Sequence, residues 1–124
     1  HDTAVKVLTK GMVELGLLKG KVPQLIKDMA YKQYYMHRTG HWLGRDVHDV
    51  GDYKVNEQWR LLEPGMTLTI EPGMYMGHTE RKAKRWWDIG VRIEDDVVVT
   101  KDGCEVLTDG VPKSPAEIEA LMNA

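Results

Sequence analysis

LEPGMTLTIEPGMYM, residues 62–76, decides how this chain folds. Pro64-Gly65 and Pro72-Gly73 punctuate the two ends of Met66-Thr67-Leu68-Thr69-Ile70. Those five residues alternate in polarity with the period of two that a half-buried strand requires. Glu71 closes the run, and Pro72 restricts it to extended geometry, so its carboxylate is fixed at a strand end. A second alternating run lies downstream. In DIGVRIEDDVVVT, residues 88–100, Ile89, Val91 and Ile93 are expected on one face of a strand and Gly90, Arg92 and Glu94 on the other. Lys101-Asp102-Gly103 reads as a hairpin turn, with Glu105 to Thr108 as the returning strand.

Helices flank this strand-rich centre. Val5, Leu8, Met12 and Leu15 recur at helical spacing, with Asp2 as the expected N-cap and Gly20 as the stop. Pro23 suits a first helical turn, and Leu25, Ile26, Met29 and Ala30 are expected to form a buried face. Ser114-Pro115-Ala116-Glu117 is a capping box that opens a C-terminal helix carrying Ile118, Leu121 and Met122. Gly77 to Arg85 is polar and basic and is expected to be an exposed loop. Helix, helix, several strands, helix is the order of an α+β fold with a mostly antiparallel sheet.

The bulk properties exclude several functions. The 124 residues are 42% hydrophobic and 29% charged, which suits one globular segment with a core of its own. A net charge of −2 offers no field for nucleic acid. No apolar run reaches the roughly 20 residues of a membrane span. Cys104 is the only cysteine, which rules out an internal disulfide or a cysteine-rich zinc site and fits a reducing, cytoplasmic setting. The chain opens at His1, without methionine, directly into helical periodicity, so either the start is processed or the chain is a piece of something longer.

HRTGHWLGRDVHDVG, residues 37–51, places His37, His41 and His48 within twelve residues. His37 and His41 are four apart, as in the helical zinc motif H-E-x-x-H. However, Arg38 stands where that motif has its glutamate, and Gly40 and Gly44 disfavour a helix. A metal ligand here must therefore act from a strand or turn, with distant partners. Glu71 and Glu94 are candidates, because a carboxylate within an apolar strand is costly to bury unless paired or metal-bound. Taken singly, each residue also has an ordinary role. Glu94 could pair with Arg92, Glu71 could cap a turn, and His41 could be a satisfied histidine. Spacing alone leaves both readings open.

Three motifs in order add a further expectation. HRTGHWLGRDVHDVGDY, LEPGMTLTIEPGMY and GVRIEDDVVVTKDGCEVLT closely resemble the C-terminal catalytic half of the aminopeptidase P family, metallopeptidases of the pita-bread fold. The resemblance runs from about Val5 to Met122. It implies a partial pita-bread fold over residues 1–124, with a curved, mostly antiparallel sheet. The N-terminal domain and the first part of the catalytic domain would lie outside the chain.

It also implies roles. His41, Glu71 and Glu94 would be metal ligands, Glu94 bridging two ions. His37 and His48 would contact substrate and manage protons, with Arg92 and Tyr75 in support. One imidazole among carboxylates suits a hard ion such as Mn²⁺, and two such ions can polarise a peptide carbonyl. The substrate would be a peptide with proline in second position, and a homo-oligomer is expected. Trp42, Trp86 and Trp87 could wall an apolar pocket for the proline ring or serve as plain packing. Two further aspartate ligands that the family carries upstream have no match here, since Asp2 and Asp28 fall in helical segments. Arg45 stands where the family has an aliphatic residue. Prolidase, acting on Xaa-Pro dipeptides, is the close alternative, and a pita-bread binding module without catalysis is the alternative of another class.

Overall fold

The computed structural model describes residues 1–78 and 81–124. Its elements run α1 (Asp2–Glu14), α2 (Val22–Lys27), a 3₁₀ turn (Ala30–Gln33), β1 (Lys54–Val55), β2 (Gln58–Trp59), β3 (Thr67–Ile70) and β4 (Gly73–Met76). A second 3₁₀ segment (Arg81–Trp86), β5 (Ile89–Arg92), β6 (Asp95–Val99), β7 (Cys104–Val106) and α3 (Pro115–Met122) follow. All strand pairs are antiparallel, as the α+β reading expects. No helix among the described residues is long and apolar enough to cross a membrane.

The chain forms two compact units. The first comprises His1–Gly40 and Glu71–Arg92. Its core is Val5, Met12, Leu17, Leu18, Tyr31, Tyr34, Tyr35 and Met76. The α1 helix ends earlier than its apolar spacing suggests. Gly16 takes φ +75, its N–H donates to Val13 and that of Leu17 to Met12. That crossed pair is a Schellman stop, which only a residue at ease with positive φ can make. Leu15 is left exposed, and Thr9 is buried instead, its hydroxyl donating to the Val5 carbonyl at 2.6 Å. Asp2 is the first helical residue rather than the cap, which is His1. The α2 helix is short because Met29 adopts φ 54 and passes the chain into the 3₁₀ turn, leaving Met29 exposed. β4 and β5 form a hairpin in the register Gly73↔Arg92, Met74↔Val91, Tyr75↔Gly90 and Met76↔Ile89. Pro72-Gly73 thus ends one strand and begins another. The polar stretch before Trp86 is a 3₁₀ segment from Arg81, and residues 79–80 lie outside the described residues.

The second unit comprises His41–Ile70 and Ile93–Ala124. β3, β6 and β7 make a three-stranded sheet in that order, with Thr69 and Val97 buried. The run expected as one strand over 88–100 is broken. Ile93 and Glu94 belong to no strand, and Glu94 is exposed between β5 and β6 rather than inside a ladder. Alternation persists through the break, so periodicity could not register it. A short hairpin, β1–β2, turns through Asn56 and Glu57, both at positive φ, the geometry of a type I′ turn. Asp95 accepts from Thr108 at 2.7 Å and pairs with Lys113 at 3.0 Å. The Thr108 hydroxyl first, and then Lys113, hold the Asp95 carboxyl below its ordinary range.

The capping box on α3 forms as expected: the Ser114 hydroxyl meets both the Glu117 amide and its carboxylate. The Ser114 side chain and backbone hold the Glu117 carboxyl below its ordinary value. A carboxyl with a lowered folded pKa contributes stability at neutral pH and loses it as pH falls through the folded value. Ser114→Ala should therefore return the Glu117 titration upward toward the usual carboxylate range and destabilise the helix by about 0.5–2 kcal/mol. A side-chain NMR titration with amide exchange over residues 115–122 measures both. An unshifted Glu117 would refute the cap.

Candidate metal and catalytic site

In the first unit, four of the expected site residues meet in one hydrogen-bonded line. His37 Nδ1 lies 2.7 Å from the Arg38 carbonyl, which can only accept, so Nδ1 carries the proton. Nε2 is then the acceptor, 3.1 Å from the Tyr75 hydroxyl. Arg92 Nε–H donates to that same hydroxyl oxygen at 2.7 Å. An arginine cannot accept, so Tyr75 must give its own proton to His37. Every donor in the line points the same way. Arg92 also pairs with Glu71 at 3.3 Å, and the Glu71 side chain is only 12% exposed.

Two glycines allow this line. A Cβ on Gly73 would collide with the Tyr75 hydroxyl, and one on Gly90 would stand 3.1 Å from the Tyr75 ring. The phenol therefore lies across the hairpin where side chains would otherwise stand. Glu71 is held by its backbone, its N–H donating to the Thr39 carbonyl at 2.6 Å.

In the second unit, residues 41–43 run beside β3. The Thr69 amide donates to the His41 carbonyl at 2.9 Å, and the His41 amide donates to the Thr69 hydroxyl at 3.1 Å. The Leu43 amide donates to the Thr67 carbonyl at 3.1 Å. His41 Nδ1 lies 2.9 Å from the Trp42 carbonyl. That contact puts the proton on Nδ1, because a carbonyl can only accept. The His48 ring stands edge-on to His41, centroids 4.3 Å apart. Its loop is held by Asp49, a residue the sequence reading passed over. The Asp49 carboxylate accepts from the amides of Arg45 and Val50 at 3.1 and 2.9 Å. The aspartate-turn chemistry of R-D-V-H-D-V could have signalled it.

The tryptophans pack. Trp42 stacks on Tyr53 with ring planes 13° apart, and Gly51 makes room for its indole. Trp86 and Trp87 pack against the core of the first unit, under the Arg85 guanidinium and the His78 ring respectively.

Residues 1–101 match the model of metallopeptidase family M24. The chain belongs to that family. It is 50% identical over 123 residues to the Xaa-Pro aminopeptidase of Haemophilus influenzae, covering 99% of this chain and 28% of that protein. Among solved structures, it is similar to Pseudomonas aeruginosa aminopeptidase PepP, with 63% identity and a TM-score of 0.95 over 99% of this chain and 28% of that one. It also resembles zinc-substituted Escherichia coli aminopeptidase P in complex with product, with 50% identity, a TM-score of 0.88, and coverage of 95% of this chain and 27% of that one. The fold is thus part of the pita-bread fold of aminopeptidase P, and the chain spans about a quarter of the length of these M24 relatives.

Proposed function

We propose that the polypeptide carrying these residues is a dinuclear metalloaminopeptidase that hydrolyses the bond between an N-terminal residue and proline. In this reading His41, Glu71 and Glu94 are metal ligands, and His37, His48, Tyr75 and Arg92 serve the reaction. The observation that carries the proposal is the line of residues in the first unit, in which Glu71 pairs with Arg92, Arg92 donates to the Tyr75 hydroxyl, and that hydroxyl meets His37. Family membership supports it, as do the relatives named Xaa-Pro aminopeptidase. One neutral imidazole with two carboxylates suits a hard divalent ion, with Mn²⁺ as the preferred candidate. When bound, a divalent pair would supply Lewis-acid activation of the scissile carbonyl and of water.

The chain's own residues do the rest. Arg92 neutralises part of the Glu71 charge and orders the Tyr75 hydroxyl. Tyr75 in turn keeps the Nε2 of His37 as an acceptor until substrate arrives. A rotation of the Tyr75 O–H away from His37 would let that nitrogen take a proton. His48, exposed beside His41, is placed to contact substrate and to donate to the leaving nitrogen. The 124 residues form one segment of a larger catalytic domain, in a cytoplasmic, homo-oligomeric enzyme. Exposed Val50, Leu61, Leu121 and Met122 support self-association, which light scattering tests.

The experiment is hydrolysis by the purified natural polypeptide with Mn²⁺. Release of the N-terminal residue from Xaa-Pro-Yaa peptides, abolished by a chelator, is the expected result. Turnover confined to Xaa-Pro dipeptides would make it a prolidase. Specific binding of peptide without any turnover would make it a binding module.

A further inference from the structure

Tyr35 has no role in the line of residues just described, yet it touches His37 at one end of it and is tied through Thr39 to Glu71 at the other. Its side chain is completely buried. Its ring meets the His37 imidazole edge-on, centroids 5.1 Å apart and planes at 83°. Its hydroxyl is 2.6 Å from the Thr39 hydroxyl. Thr39 is also the residue whose carbonyl takes the Glu71 amide, at 2.6 Å. Burial raises the Tyr35 phenol above its ordinary pKa, with the Thr39 hydrogen bond opposing. The group therefore stays protonated throughout the neutral range and keeps a proton for hydrogen bonding.

A hydroxyl in so buried a place is expensive unless it is bonded. A phenylalanine would fill the same space at no such cost. Among the described residues the oxygen's hydrogen-bond partner is Thr39, whose hydroxyl otherwise meets His1 Nδ1, at 2.9 Å, at the exposed margin of the unit. The Tyr35 contact is thus the one that ties Thr39 to the core. We propose that Tyr35 and Thr39 are positioning residues. The ring of Tyr35 sets the orientation of His37, and the Tyr35–Thr39 hydrogen bond fixes the carbonyl that holds the Glu71 backbone. The distance between a proton-handling histidine and a ligand carboxylate is then governed by one residue that touches neither substrate nor metal.

The activity readouts below rest on the proposed function, whereas the structural ones do not. Tyr35→Phe keeps the ring and removes the oxygen. Thr39→Val removes the other partner, and Thr39→Ser restores the hydroxyl without the methyl. In the natural polypeptide, both losses should weaken Mn²⁺ binding in calorimetry by about 3–10-fold, the size of one hydrogen bond. They should lower kcat by a similar factor with KM unchanged, since the defect lies in the reacting geometry. Thr39→Ser should return both to the parent values. Independently of any metal or substrate, the Glu71 amide should exchange with solvent faster in Tyr35→Phe and Thr39→Val, and at the parent rate in Thr39→Ser. If the parent protein neither binds metal nor turns over, the functional proposal falls and the exchange rates still judge this one. Unchanged Glu71 exchange in both Tyr35→Phe and Thr39→Val would overturn it. So would a Thr39→Ser variant as impaired as Thr39→Val, because a packing role and not the hydroxyl would then be at work.

Discussion

Glutamine in place of Glu94 in the natural polypeptide should remove bound divalent metal and peptide hydrolysis together. Glu94 is exposed and lies outside any strand. Its replacement by an isosteric amide should therefore leave the fold intact. What changes is charge and donor count. A carboxylate offers two anionic oxygens, whereas the amide offers one neutral oxygen and an NH₂ that repels a cation. Hard ions depend on anionic oxygen donors, and a ligand shared by two ions is lost to both. The fall in affinity should exceed the 10–100-fold typical of a residue that merely supports a ligand. Metal analysis of dialysed protein and hydrolysis of an Xaa-Pro-Yaa peptide measure the two effects. Full metal content in Glu94→Gln would remove Glu94 from the ligand set.

The contrasting result is expected at His48. His48→Ala should retain metal and lose about 10²–10⁴-fold in turnover, the range of a positioned acid–base group. His48 meets His41 only through ring edges, and the Trp42 carbonyl, not His48, fixes the proton on His41 Nδ1. Deleting the imidazole should therefore not disturb His41 Nε2, the atom proposed to ligate. The loss should appear in kcat more than in KM. A variant that lost its metal would assign His48 to ligation.

The fold and the candidate site were legible in the sequence to unequal degrees. The strand ending at Glu71 could be read because Pro-Gly pairs bracket it, and the α3 start because a capping box is a local device. The antiparallel α+β class followed from element order. The pairing of Gly73 with Arg92 could not be read, because the two are nineteen positions apart and no turn signal joins them. For the same reason only the structure shows Arg92 beside Glu71. The break at Ile93 and Glu94 was hidden because alternation continues through it. The ends of α1 and α2 depend on positive φ at Gly16 and at Met29, and methionine carries no sequence signal for that geometry. Tyr35 and Thr39 were invisible as a pair. A tyrosine four residues before a threonine has no meaning until both are buried together.

The first unit is not continuous in sequence, and that has a consequence for its synthesis. Its α-helices and its core tyrosines, Tyr31, Tyr34 and Tyr35, are complete by Gly40, but Met76, which completes its core, belongs to a segment that begins only at Glu71. The intervening thirty residues, 41–70, belong to the other unit. At a ribosomal pace of roughly 5–20 residues per second, Met12, Tyr34 and Tyr35 wait on the order of several seconds for the strand that covers them. The Tyr34 carbonyl waits equally long for the Tyr75 amide. During that interval the nascent chain presents an aromatic surface with no cover of its own. Codon pace across residues 41–70 and access to a chaperone should therefore affect the yield of folded protein more than either does after Arg92 has emerged.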